Sequence, residues 1–214
     1  MYAMNQHKQR DQVVKEYSRL ASVYDTRWSF YIEATTRETI ARLSLPPGAR
    51  LLDVGCGTGA LLERLAHNFP QATLVGVDPV PEMRAVARER LPASTELGEG
   101  WAEELPFEDD SFDMVVSCNV FHYIRQPVVA LKEMTRVLRP NGELVITDWC
   151  DDYLTCRICD WCLRRFSPAH FKAYRERECL GLLKEAGHPQ AQIQRYKINW
   201  LWGLMMVKVA KNVI

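Results

Sequence analysis

The sequence predicts an α/β protein, a doubly wound parallel sheet with helices over both faces. Three observations carry this. Short apolar runs alternate with amphipathic stretches from residue 50 to residue 147, the pattern of strands buried on both sides by crossover helices. Three glycines crowd one run-to-helix junction, at Gly55, Gly57 and Gly59. The 214 residues, 47% hydrophobic and 25% charged, suit one α/β domain and exclude a disordered chain.

Taken in order, residues 8–43 read as one or two helices: Val13, Val14, Tyr17, Leu20 and Tyr24 recur at helical spacing, then Ile32, Thr36, Ile40 and Leu43. Pro46-Pro47-Gly48 breaks the chain. Arg50–Val54 is a short apolar strand ending in glycines, and Ala60–His67 an amphipathic helix. Leu74–Val77 is a strand, and Pro81–Leu91 a helix with proline in its first turn. A weaker strand falls near Thr95–Leu97. Phe112–Ser117 is a strand, Pro127–Leu138 a helix closed by Pro140-Asn141-Gly142, and Glu143–Thr147 a strand. Residues 151–187 break the rhythm, reading as helices around a Ser167-Pro168 loop and expected to cap one end of the sheet. Gln192–Ile198 and Trp200–Val209 are two strands around Asn199, long enough for an edge hairpin. The chain therefore divides into an N-terminal helical cap (1–45), a core (48–148), an inserted helical cap (151–187) and C-terminal strands (190–214).

Twenty-seven basic residues balance 27 acidic ones, so no global field draws the chain to nucleic acid or to anionic lipid. The opening MYAMNQHKQRDQ has no apolar stretch, and no apolar run approaches the roughly 20 residues that span a bilayer. Seven cysteines without a secretion signal point to reduced thiols and a cytoplasmic location.

The chemistry centres on LLDVGCGTGA, Leu51 to Ala60. Glycines at a strand-to-helix turn let a ligand approach without Cβ atoms in the way. Asp78 ends the next strand, about 20 residues on, where wound sheets place an acid on a ribose diol. A nucleoside ligand follows. Gly55-x-Gly57-x-x-Ala60 also satisfies a dinucleotide pattern. Asp53, two residues before Gly55, argues against the pyrophosphate that a dinucleotide would lay on this loop. It suits S-adenosylmethionine, which has no phosphate and carries a sulfonium and an ammonium.

Leu51–Gly59 with Val75–Pro79, Gly100–Ile124 and Leu131–Asp148 together resemble a class I S-adenosylmethionine-dependent methyltransferase, of the ubiquinone/menaquinone-biosynthesis-like (type 11) small-molecule branch. The likeness covers about residues 48–148. It implies a Rossmann-like seven-stranded sheet, mostly parallel with an antiparallel last strand. It also implies S-adenosyl-L-methionine as cofactor. Gly55, Cys56, Gly57 and Gly59 match the loop at the methionine part, Asp53 the acid below it, and Asp78 the ribose ligand. Pro79 and Met83 match the adenine surroundings, Ala102 and Glu103 the adenine edge, and Cys118 and Asn119 the strand end that meets the α-ammonium. Trp101 departs from the family's usual Asp. It cannot accept a bond from the adenine amine, and losing such a bond costs about 1.5–3 kcal/mol unless it is replaced.

The resemblance places the acceptor beyond the fourth and fifth strands. There His122 is the candidate base, Asp148 a substrate-facing acid or a helix cap, and Tyr24 the residue closing the cofactor site. Tyr17 reads as an apolar-stripe residue and His170 as a surface loop histidine. Cys156, Cys159 and Cys162 lie three apart, and small core residues explain them better than metal. The expected partner is a small or amphipathic acceptor, with neither nucleic acid nor integral membrane association. A non-catalytic cofactor-binding module and a nicotinamide-dependent oxidoreductase are the competing readings.

Overall fold

Leu52, Val54, Val75, Val77 and Val115 pack on one side of a sheet, while Leu51, Leu74, Met114 and Val116 pack on the other. The central strands therefore hide both faces, which is why their sequences are apolar runs rather than alternations. The computed structural model describes residues 2–211, with side chains from residue 10 onward. Met1 of the expected N-terminal cap and residues 212–214 of the expected terminal strands lie outside the described residues.

Seven strands make up the sheet: β1 Arg50–Val54, β2 Thr73–Val77, β3 Glu96–Gly98, β4 Phe112–Cys118, β5 Leu138–Trp149, β6 Gln192–Lys197 and β7 Gly203–Ala210. Their order is β3-β2-β1-β4-β5-β7-β6. All pairings from β3 to β5 are parallel, and β7 runs antiparallel to both neighbours. The chain winds outward through β2 and β3, then returns to place β4 on the far side of β1. A crevice opens at such a reversal, at the carboxyl ends of the strands.

Helices α4 Ala60–Asn68 and α5 Pro81–Arg90 cover the side bearing Leu51, and α6 Pro127–Arg136 covers the other. The N-terminal segment forms three helices, α1 Tyr2–Leu20, α2 Tyr24–Arg27 and α3 Ser29–Ile40. β5 starts five residues earlier than the sequence indicates. Asn141 adopts a positive φ and the β4–β5 register shifts beside it, so the chain bulges through Pro140-Asn141-Gly142 instead of leaving the sheet.

The segment 151–187 is two things. α7 Leu154–Phe166 and the loop after it lie at the sheet end, against Trp149 and Leu204. α8 Glu176–Glu185 buries Cys179 and Leu183 in the core beside α6, as a crossover helix and not a cap. The final strand begins at Gly203, because Asn199 Oδ1 accepts from the Leu201 and Trp202 amides and holds those residues in a turn.

Candidate active site

The glycine loop is folded back onto β2, where the Gly55 and Cys56 amides both donate to the Val77 carbonyl, at 2.8 and 3.0 Å. Gly57, at φ +52°, turns its N–H onto Asp78 Oδ2 at 2.9 Å. The Val80 amide donates to Asp78 Oδ1 at 2.8 Å. Asp78 is thus fixed by two backbone donors, with lone pairs to spare on each oxygen. Gly59 answers a packing need instead: a Cβ there would come within 2.9 Å of Leu91 on the α5 side. It does not line the cavity, which corrects the expectation that it faces a ligand.

Asp53 and Asp78 end the neighbouring strands β1 and β2, and both are buried. Burial, with Asp78 adding like-charge repulsion, pushes the Asp53 carboxyl up to about 8. Asp78 is raised to about 6 by burial, held lower by the Val80 and Gly57 amides and by Arg84. No described residue pairs with Asp53. Two acids without a full complement of cations form a site that favours a positively charged ligand.

A cavity lies over these acids. Of the residues singled out in the sequence, Tyr24, Asp53, Gly55, Cys56, Gly57, Asp78, Pro79, Met83, Trp101, Ala102, Glu103, Cys118 and Asn119 line it. Asn119 takes φ +62°, which suits asparagine, and its side chain is committed to α3. Its Oδ1 accepts from Tyr31 Oη at 2.6 Å, and its Nδ2 donates to Thr35 Oγ1 at 3.0 Å. Burial pushes the Cys118 thiol up to about 12, leaving it un-ionised at neutral pH. Trp101 is covered by Arg10, whose guanidinium sits 4.7 Å from the ring centre.

The roof is aromatic. Tyr17, Tyr24 and Tyr123 pack edge to face, with the Tyr17 hydroxyl donating to that of Tyr123. Burial raises the phenols of all three. Tyr17 therefore belongs to the cavity and not merely to a helix stripe. Ile32 and Thr36, read in the sequence only as a helix stripe, also line it, as does Arg10, which the sequence reading did not name. The available signal was α1's own stripe, since Arg10 lies one turn before Val13 and two before Tyr17.

His122 and Asp148 are not among the lining residues. His122, on a 3₁₀ turn spanning Phe121–Tyr123, places Nδ1 2.7 Å from Asp148 Oδ1 and donates its amide to Oδ2 at 2.9 Å. The Trp149 amide also donates to Oδ1, and the following helix α7 has Tyr153 at its N-cap, so Asp148 does not cap it. The His122 ring stacks on Trp149, and the His122 carbonyl accepts from the Phe171 and Lys172 amides. These two residues form a buried brace beside the cavity, which corrects the expectation that they face the acceptor. His170 is also buried, against the expectation of a surface position. Its Nε2 is 2.8 Å from Asp160 Oδ1, and its Nδ1 is buried without a described partner.

Cys156 is buried against Gly203, while Cys159 and Cys162 are partly exposed on α7. Among the described residues no group of three His, Cys, Asp or Glu side chains is placed to hold a metal ion.

A glycine loop at a topological switch, with an acid at each of two adjacent strand ends, is the arrangement at which wound α/β sheets hold nucleoside ligands. Residues 52–146 match the family described as "Methyltransferase domain". An uncharacterized methyltransferase of Mycobacterium tuberculosis is 45% identical over 101 residues, which are 47% of this chain and 40% of that relative. The chain thus spans less than half of that protein's length. Phosphatidylethanolamine N-methyltransferase of Cereibacter sphaeroides is 36% identical over 143 residues, covering 64% of this chain and 68% of the relative. A solved SAM-dependent methyltransferase from Thermotoga maritima shares the fold, with a TM-score of 0.76 at 22% identity over 93% of this chain and 99% of that one. The chain belongs to the class I S-adenosylmethionine-dependent methyltransferases, in the type 11 group.

Proposed function

We propose that this chain binds S-adenosyl-L-methionine and transfers its methyl group to a small or amphipathic acceptor. The observation that carries the reading is the Asp53–Asp78 pair: two buried acids at adjacent strand ends beneath a cavity, one held by backbone donors and one without a described partner. That polarity suits a ligand with a hydroxyl-bearing sugar at one end and positive charge at the other. It disfavours a pyrophosphate.

The residues present fit such a group. Asp78 would accept from the ribose hydroxyls, and Asp53 would face the positive end. Pro79, Val80, Met83, Ala102 and Glu103 would surround the base, with Trp101 stacking where the family has a carboxylate. Cys118 and Asn119 would meet the ammonium. When bound, the cofactor supplies a methyl carbon on a sulfonium, open to in-line displacement. The chain's own work is then to hold the acceptor in line and to keep water out. Tyr17, Tyr24 and Tyr123 form the aromatic roof for that purpose, and an aromatic face near a sulfonium contributes about 0.5–2 kcal/mol. The His122–Asp148 brace positions the 3₁₀ turn that carries Tyr123.

The Cereibacter sphaeroides relative is named for an amphipathic amine acceptor, which supports an amphipathic acceptor here. No described helix is long and apolar enough to cross a membrane. The seven unpaired thiols support a reducing, cytoplasmic compartment.

The test is calorimetric titration of the ligand-stripped chain with S-adenosylmethionine, S-adenosylhomocysteine and NAD, followed by an acceptor screen read as S-adenosylhomocysteine release. The reading expects binding of the first two and turnover with at least one acceptor among phenols, quinols, thiols, amines and lipids. Tight NAD uptake without sulfonium binding would overturn it. Cofactor binding with no turnover across the screen would leave a non-catalytic module.

A further inference from the structure

α7 presents a face that the fold leaves uncovered. Leu154, Ile158 and Trp161 recur at helical spacing and are exposed by 67%, 55% and 69%, with Phe166 at the helix end exposed by 79%. This is not an unfinished core, because the helix already has one. Cys156 is fully buried against Gly203, and Cys159 and Leu163 pack on the cluster of Tyr31, Trp149, Ala173 and Leu204. Trp200, exposed by 80%, lies in the turn before β7. Its neighbour Leu201 accepts from Thr155 Oγ1 in the first turn of α7, so the two elements are tied side by side.

Charge decides what would cover such a face. Arg157, Arg164 and Arg165 are exposed on α7. The helix's single acid, Asp160, is turned inward, where His170 and the Ala173 amide hold it. Arg157 and Arg164 make loose ion pairs, at 3.7 Å to Asp151 and 3.8 Å to Asp160, Arg157 also donates to the Asp151 carbonyl at 3.2 Å, and Arg165 has no described partner. The chain as a whole carries no net charge, so this positive surface is local. A second copy meeting the same face across a two-fold axis would set arginine against arginine. An apolar stripe of Trp, Phe, Ile and Leu flanked by arginines fits the boundary of an anionic bilayer. There the rings sit at headgroup depth and the guanidiniums reach the phosphates. At 13 residues the helix lies along such a surface and does not cross it.

We infer that the outer face of α7, with Trp200, docks this protein peripherally onto anionic phospholipid surfaces. The inference does not rest on methyl transfer, and its readout needs no methyl donor.

The experiment is co-sedimentation of the full chain with large vesicles of phosphatidylcholine alone, or of an equal mixture of phosphatidylcholine and phosphatidylglycerol. Binding to the mixed vesicles, weak binding to the neutral ones and release by added salt are expected. Trp161→Ser and Ile158→Ser should each weaken partitioning by about tenfold. The double variant R164Q/R165Q should remove the preference for phosphatidylglycerol. These side chains are exposed, so thermal melts should stay at the parent value and separate lost docking from lost folding. Blue-shifted emission on vesicle addition that Trp161→Phe reduces and the double variant W161F/W200F abolishes gives a second readout. Absence of partitioning to either vesicle, partitioning unchanged by the α7 variants, or vesicle-free self-association abolished by Trp161→Ser would each overturn the proposal.

Discussion

Asp25, on the single-turn helix α2, accepts a hydrogen bond from Thr58 of the glycine loop, Oγ1 to Oδ1 at 2.7 Å. Arg90 of α5 pairs with the other Asp25 oxygen and donates to the Thr58 carbonyl at 3.0 Å. The N-terminal helices, which supply Tyr17 and Tyr24 to the cavity roof, are thereby fastened to the loop beneath. Ser18 Oγ donates to Glu82 at 2.6 Å as a second tie.

Loosening that fastening should open the roof before it unfolds the sheet. Asp25→Ala removes a charge-assisted network worth about 1.5–3 kcal/mol. We expect cofactor affinity to fall by about tenfold, mainly through faster release. Limited proteolysis should cut first within residues 18–30. Stopped-flow release rates check the first outcome, and cleavage mapping checks the second.

Asp53 should make cofactor binding pH-dependent. Its carboxyl is protonated below about 8 in the ligand-free fold, and a cationic ligand favours the ionised form. Uptake of S-adenosylmethionine at neutral pH should therefore release a proton, and affinity should rise with pH until about 8. Calorimetry in two buffers of different ionisation enthalpy measures that proton directly. Asp53→Asn should abolish the release and weaken binding.

The same carboxyl sets the stability of the empty protein, with the opposite sign. Its folded value, about 8, lies above the ordinary 3.8. The folded chain therefore keeps a proton that the unfolded chain gives up. This contribution is fully present below about pH 4 and is lost as pH rises through about 8. Asp53→Asn should raise the melting temperature of the ligand-free chain at pH 8, through a stabilisation of at most a few kcal/mol, and change it little at pH 4. Scanning calorimetry at the two pH values checks the crossover.

Asp78→Asn keeps an acceptor for one of the two amides from Gly57 and Val80 but loses the carboxylate that both share. Binding should weaken by about 10- to 100-fold. Unchanged affinity, measured by titration, would remove the ribose assignment.

The His122–Asp148 brace predicts a structural phenotype. Asp148→Asn or His122→Gln disturbs buried hydrogen bonds worth about 1–3 kcal/mol. The melting temperature should drop while cofactor affinity changes little. Turnover, once an acceptor is known, should be reduced but measurable. A His122→Gln chain with parental melting and no turnover would return the ring to the role of general base.

Local pattern made much of this protein legible. Strands β1, β2 and β4 announce themselves as apolar runs because each must face helices on both sides. Gly55, Gly57 and Asp78 stand out because a loop of fixed geometry needs those residues at fixed spacing within about 25 positions. Arg10 did not stand out, and Thr36 stood out only as part of a helix stripe. An arginine on such a stripe looks the same whether it faces solvent or a cavity supplied by strands about 40 to 110 residues away.

The amino-acid order alone determined the wound sheet, the glycine turn and the two acids beneath it, since each rests on periodicity or on steric demands within one short segment. Only tertiary structure decided that His122 and His170 are buried with aspartates, that Asp25 fastens α2 to Thr58, and that α8 joins the core while α7 turns four large apolar side chains outward. Those outcomes depend on which distant segment arrives to accept a hydrogen bond or to exclude water. That information is distributed over the whole chain and not written at the residues themselves.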